Sequence, residues 1–216
     1  MPKLKTVPNG LLVFFEGIDG AGKTTQLKLL ADQLKNDGWL VEHSRSHGGT
    51  PIGEALREVS LSHIERPVAT DFYVSLAMHI ALLEQVRSWR EQGAIILIDR
   101  GPLSLVAYQI YGDGLSEQAA WPIVENDFRA FAPELVITYS APVKTALTRA
   151  KVHKAAAADY FENKPPGYFQ RVQKGYLAAS ERLGAQIINA NRPIKAVQTE
   201  TYATVQSVLQ TKITKA

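Results

Sequence analysis

Short apolar runs alternate along the chain with longer stretches in which apolar residues recur every three or four positions. Leu11–Phe15 is wholly apolar and reads as a first strand. Lys23–Lys35 keeps helical spacing, with Leu27, Leu30 and Leu34 on one face, and Asn36-Asp37-Gly38 stops it. Trp39-Leu40-Val41 begins a second strand. Pro51 suits the first position of a helix running to about Val59. A long helix is expected from about Asp71 to Arg90, with Phe72, Leu76, Ile80, Leu83 and Val86 as its apolar stripe. Ala94–Ile98 is the most hydrophobic run and reads as a central parallel strand buried on both faces. Helices over about Pro102–Ile110 and from a Ser116 cap to about Phe131 precede a strand at Glu134–Tyr139. Ser140 as cap and Pro142 just inside start another helix. Tyr168–Leu183 is helical and Gly184 ends it. Gln186–Ala190 is the last strand, followed by a terminal helix carrying Ile194, Val197, Val205 and Val208.

Five strands alternating with helices, with no repeat and no low-complexity linker, predict a three-layer α/β fold with a parallel sheet. The 216 residues are expected to form a single domain, residues 1–216. Ligands in such sheets bind outside the carboxyl ends of the strands. Three marked segments fall there: the glycine-rich turn after Phe15, the turn after the second strand, and Asp99-Arg100.

Composition narrows the function classes. Hydrophobic residues make up 45% of the chain, enough for a sheet covered on both faces. With no cysteine, disulfides and thiolate metal sites are excluded, which is compatible with a cytoplasmic location. A net charge of +3 suits small anions but is too slight to indicate nucleic-acid binding. No run approaches the roughly 18 apolar residues of a membrane span, and Met1-Pro2-Lys3-Leu4-Lys5 carries no secretory signal.

The turn after Phe15 reads Gly17-Ile18-Asp19-Gly20-Ala21-Gly22-Lys23-Thr24, the spacing G-x-x-x-x-G-K-T between strand and helix. Backbone N–H groups of Gly17 through Thr25 can close around phosphate oxygens, and the helix N-terminus favours an anion. Lys23 would reach the β- and γ-phosphates of ATP, and the Thr24 hydroxyl would ligate Mg²⁺. Asp99, closing an apolar strand, is a second Mg²⁺ candidate, with helix capping as its plainer role. Arg100 offers a guanidinium at the ligand edge for a second phosphate, and Arg45 is a second such candidate. Asp19 would be repelled by triphosphate, so an acceptor sugar hydroxyl or water-bound Mg²⁺ fits it better; a simple turn-forming role is the alternative. His47 reads as a turn residue. Arg149, Lys151 and Lys154 would form a basic flap over the nucleotide, or merely complement a helix C-terminus. Ser104 and Tyr108 stand one helical turn apart and could line an acceptor pocket. Phe72 and Tyr73 could stack on a base, although aromatic residues at this spacing also suit a core.

Taken together these residues resemble the thymidylate kinase family. Phe15–Gln26 is close to that family's phosphate loop, including Asp19. Gly48-Gly49-Thr50-Pro51-Ile52-Gly53 matches the end of its second motif, with Arg45 at the motif's arginine. Asp99-Arg100, Ser104 and Ala107-Tyr108-Gln109 follow its third motif, and Phe169–Tyr176 resembles the helix after its lid. The resemblance implies a P-loop NTPase fold with a five-stranded parallel sheet, a helical lid at about 149–166, and a homodimer. It implies transfer of the γ-phosphoryl of ATP·Mg²⁺ to a deoxynucleoside monophosphate, dTMP to dTDP. Lys23, Arg100, Arg149 and Asp19 would then be the catalytic set. Arg45 and Arg100 would hold the acceptor phosphate, and Asp19 the acceptor sugar. The chain departs from the pattern at several points. Ser46-His47 replaces Glu-Pro, and Gly101-Pro102 follows Asp-Arg. Met78 or His79 falls where the family presents an arginine to thymine, and Tyr160 stands at a common lid arginine. These departures keep open a kinase for another nucleoside monophosphate, or an ATP-binding regulatory module without transfer activity.

Overall fold

The computed structural model describes residues 3–62, 64–153, 164 and 167–215. Five parallel strands form one sheet in the order β2-β3-β1-β4-β5: β1 (Leu11–Glu16), β2 (Val41–Arg45), β3 (Ile95–Asp99), β4 (Leu135–Ser140) and β5 (Gln186–Asn189). The helices are α1 (Lys23–Asn36), α2 (Pro51–Leu61), α3 (Val68–Glu91), α4 (Pro102–Leu105), α5 (Glu117–Phe131), α6 (Val143–His153), α7 (Tyr168–Leu183) and α8 (Ile194–Thr214). The pairing of α1 with α8 on one face, and of α3, α4, α5 and α7 on the other, gives the expected three layers. β1 lies between β3 and β4, and every residue of Leu11–Glu16 is buried. That is why the sequence is apolar without alternation from Leu11 to Phe15, with the buried carboxyl of Glu16 closing the strand.

The register decides which side chains meet at the carboxyl rim. Phe15 pairs with Asp99, and Arg45 also pairs with Asp99. The last residues of β1, β2 and β3 therefore deliver Glu16, Arg45 and Asp99-Arg100 to one edge, beside the glycine-rich turn.

Several elements differ from expectation. β2 starts at Val41, because Trp39 and Leu40 pair instead with Lys5: the Leu40 N–H donates to Lys5 O at 2.9 Å. The segment after Pro102 is α-helical for one turn only and then continues as a π-helix over Val106–Gly112, in which the Asp113 N–H donates to Tyr108 O at 2.9 Å. Ser116 stands at the N-cap of α5 without a side-chain cap bond. The buried stripe of α3 is rotated: Phe72, Ser75, His79, Leu82 and Val86 face inward, Leu76 and Leu83 lie at the margin, and Ile80 is 54% exposed. The cause is a buried polar pair, His79 Nδ1 lying 3.1 Å from Asp127 Oδ2 of α5. Of the predicted lid, Arg149–His153 belongs to α6, while Lys154 and Tyr160 lie outside the described residues.

Candidate active site

Two cavities open at the carboxyl rim and share one wall. The larger, about 820 Å³, runs along the glycine-rich turn and the start of α1, with Arg149, Arg192 and Ile194 on its far side. The smaller, about 310 Å³, is bounded by Arg45, His47, Arg57, Asp99, Arg100, Ser104 and Tyr108. Asp19, Lys23 and Thr24 line both.

The turn is shaped by contact with α6. Gly20 has φ +76°, and a Cβ there would lie 1.8 Å from the Ala146 carbonyl oxygen, so only glycine fits against that helix. Gly20, Ala21, Gly22, Lys23, Thr24 and Thr25 all face the larger cavity, as the motif predicts. Gly17 and Ile18 do not. Gly17 is pressed against Tyr139 O and Ile18 is buried, its carbonyl accepting from Ala21 N–H at 3.1 Å and from Lys23 Nζ at 3.1 Å. These two residues brace the turn from beneath rather than lining it. Burial chiefly lowers the Lys23 pKa, with Arg100 adding to the effect and Asp19 opposing it. A phosphate group would reverse that balance by giving the ammonium a counter-charge.

Thr24 and Asp99 meet across the shared wall: the Thr24 hydroxyl donates to Asp99 Oδ2 at 2.5 Å. A hydroxyl and a carboxylate are hard oxygen donors of the kind Mg²⁺ takes, and the ion ordinarily completes its shell with phosphates and water rather than a protein cage. The residues present fit the metal.

Arg100 is the centre of the smaller cavity. Its backbone sits in the left-handed region at φ +69°, held by Arg100 N–H donating to Phe15 O at 2.9 Å. Its Nη2 bonds Asp19 Oδ1, its Nη1 donates to Tyr176 Oη at 3.0 Å, and the guanidinium lies 5.2 Å over the Tyr108 ring. Asp19 thus faces Arg100, with Lys23 4.0 Å away, and acts in this structure as their counter-ion. Arg45 reaches the same cavity but is 51% exposed and is held by both oxygens of Glu54 at 2.7 Å. That contact, with the Gly49 N–H, holds the Glu54 carboxyl below its usual range.

One expected contact is not formed. Phe72 is 1% exposed in the core and lines neither cavity, because it heads the buried stripe of α3. Met78 and His79 are fully buried and line neither cavity. Ser104 borders the smaller cavity, but its hydroxyl is committed to Glu16 and Tyr176. Tyr108 lines it as expected. Arg149 faces the larger cavity and donates to Ala190 O at 3.1 Å. Sequence reasoning missed Arg57, which α2 carries to the smaller cavity and whose Nη1 donates to His47 O at 2.9 Å. Its signal was its place three residues after Glu54, on the helix face that already meets Arg45. His47 also lines this cavity, and burial pushes its pKa well below the ordinary histidine value, keeping the ring neutral.

A phosphate loop opening beside an arginine-bearing pocket defines an α/β nucleotide-binding protein of the phosphoryl-transfer type. A sequence model of the family described as thymidylate kinase matches residues 15–201. Curated thymidylate kinases of Alkalilimnicola ehrlichii and Pelotomaculum thermopropionicum are 34% and 31% identical. The first alignment covers 88% of this chain and 89% of the relative, and the second 93% and 94%. A thymidylate kinase of Pseudomonas entomophila is 32% identical over 94% of this chain and 98% of its own length. The crystal structure of thymidylate kinase from Ehrlichia chaffeensis superposes with a TM-score of 0.71 at 22% identity, covering 92% of this chain and 100% of that one, a likeness of fold. The chain belongs to the thymidylate kinase family. No helix among the described residues is long and apolar enough to cross a membrane.

Proposed function

We propose that this protein transfers the γ-phosphoryl group of ATP to dTMP, forming dTDP and ADP. The observation that supports the reading most strongly is the shared wall: Asp19, Lys23 and Thr24 line both the cavity along the phosphate loop and the one holding Arg45, Arg57 and Arg100. A donor in the first and an acceptor in the second would meet at Lys23. Phosphoryl transfer needs little covalent chemistry from the protein, and positioning with charge neutralisation carries the rate.

In this reading the turn Gly20–Thr25 holds the ATP phosphates, and Lys23 bridges the β- and γ-oxygens. Thr24 and Asp99 would hold Mg²⁺, which when bound neutralises charge on the donor phosphates. Arg100, with Arg45 and Arg57, holds the acceptor phosphate. Asp19 hands Arg100 over to that phosphate and turns to the acceptor sugar. Arg149, on the far wall of the larger cavity, faces the nucleotide end of ATP. His47 and Gln109 are polar groups that could meet the base, since Met78 and His79, one of which stands at the family's arginine, are both buried away from the cavity. The protein works in the cytoplasm, as a homodimer of single-domain subunits.

The test is a panel of thymine, uracil, guanine, adenine and cytosine monophosphates, ribo and deoxy, assayed by coupled ADP release. Turnover stimulated most by dTMP is expected. ADP release that no monophosphate stimulates would refute the transferase reading.

A further inference from the structure

Arg100 is held from two sides, and only one of them can release it. Nη2 meets Asp19, a surface carboxylate that an incoming phosphate can displace, and lies 3.4 Å from the Tyr108 hydroxyl. Nη1 meets Tyr176 of α7, which is 1% exposed and lines neither large cavity. The second side continues inward. Tyr176 Oη lies 2.9 Å from Ser104 Oγ, and Ser104 Oγ donates to Glu16 Oε2 at 2.7 Å. The N–H groups of Leu103 and Ser104 donate to Glu16 Oε1 at 3.0 and 3.3 Å.

The direction of each bond follows from chemistry. A guanidinium can only donate, so Tyr176 accepts from Arg100. Ser104 gives its only hydroxyl proton to Glu16, so the contact between Ser104 and Tyr176 must be filled by the tyrosine proton. With Glu16 ionised, every hydrogen in the chain Arg100–Tyr176–Ser104–Glu16 then points away from the guanidinium and toward a fully buried carboxylate. Such aligned bonds polarise one another in a low-dielectric interior. The approach of α7 that places Tyr176 is itself specific: a Cβ on the neighbouring Gly175 would lie 2.7 Å from Ala107 Cα of the π-helical segment.

We propose that Glu16, Ser104 and Tyr176 are positioning residues that fix the Nη1 edge of Arg100, so that its Nη2 edge alone exchanges Asp19 for the acceptor phosphate. The proposal rests on the reading of Arg100 as the acceptor-phosphate ligand. None of the three residues need touch substrate; they act through the guanidinium.

The experiment is a thermodynamic cycle. The dissociation constants of dTMP and of ATP are measured by titration calorimetry for the wild type, Tyr176→Phe, Arg100→Ala and the double variant. Tyr176→Phe is expected to weaken dTMP binding about tenfold, the scale of one hydrogen bond to a charged group. It should leave the ATP constant within about twofold, and add no further loss to Arg100→Ala. Ser104→Ala, which leaves Arg100 and Tyr176 intact, should reproduce the dTMP-selective loss and serves if Tyr176→Phe does not fold. Additive losses in the double variant, or equal losses for dTMP and ATP, would overturn the relay while leaving the acceptor site standing. Failure of the wild type to bind dTMP at all would overturn the acceptor site and the relay with it.

Discussion

The two cavities are built by different means. Half of the residues lining the larger belong to one contiguous stretch, residues 19–26, whose backbone conformation shapes its wall. The smaller takes its charged groups from four separate places: the turn after β1, the end of β2, the middle of α2, and the end of β3. One depends on glycines that reach unusual φ values, the other on side chains held by partners. The phosphate loop is therefore intolerant of a side chain at Gly17 and Gly20, where a Cβ would lie 2.5 Å from Tyr139 O and 1.8 Å from Ala146 O. The arginine pocket is adjustable residue by residue, because Glu54 restrains Arg45, Tyr176 restrains the Nη1 edge of Arg100, and Asp19 with Tyr108 restrains its Nη2 edge. The difference suits a donor common to many enzymes and an acceptor that must be chosen.

The comparison can be broken at its shared wall with the largest effect. Lys23→Met should lower turnover by about 10³-fold or more, on the scale of losing a transition-state cation, with the melting temperature changed by only a few degrees. Steady-state rates and calorimetry on the same preparation check this, and normal turnover would remove Lys23 from the chemistry. Next, Arg100→Ala should lower kcat/KM for the acceptor by about 10²-fold while the KM for ATP changes little. A loss shared equally by both substrates would show that the two cavities are not separable. Arg45→Ala and Arg57→Ala should each raise the acceptor KM by about tenfold, since both lie further from the phosphate loop and Arg45 is half-exposed. If Arg57→Ala is silent and Arg45→Ala is not, the acceptor phosphate sits on the β2 side alone.

At Glu16 the expected effect is on stability rather than on turnover. Burial chiefly raises its carboxyl from 4.5 to about 7, against the Ser104 hydrogen bond and the charges of Arg100, His79 and Lys23. The folded protein therefore binds more protons than the unfolded chain between those values. Its stability falls as pH rises from about 4.5 to about 7 and is level above that. Glu16→Gln removes the titration. The wild type should lose melting temperature relative to this variant across that window, by the equivalent of about 1–3 kcal/mol. Parallel curves would mean that Glu16 stays ionised throughout.

The layered α/β fold and the phosphate loop were legible because each is written locally, in apolar runs and in eight consecutive residues. Asp99 and Arg100 were legible because they follow a strand whose central place is marked by its hydrophobicity. What could not be read depended on contacts across the chain. The stripe of α3 is displaced by the His79–Asp127 pair, which joins two helices distant in sequence. That displacement turns Ile80 outward while Phe72 and Val86 stay in the core. Gly17 and Ile18 belong to the motif by spacing, yet packing against Tyr139 and the Lys23 ammonium turns them away from the larger cavity. Arg57 looks like any surface arginine until α2 folds back beside His47. The π-helical stretch that presents Tyr108 has no local signature, since its cause is the close approach of α7 at Gly175.

The central claim is that two ligands bind side by side against Asp19, Lys23 and Thr24. Its most direct test is to titrate dTMP into the protein, first alone and then with a non-hydrolysable ATP analogue and Mg²⁺ already saturating. The account predicts one dTMP per chain in both titrations, with affinity kept or improved when the analogue is present. Loss of dTMP binding on saturation with the analogue would mean that both compete for one cavity, and would contradict it.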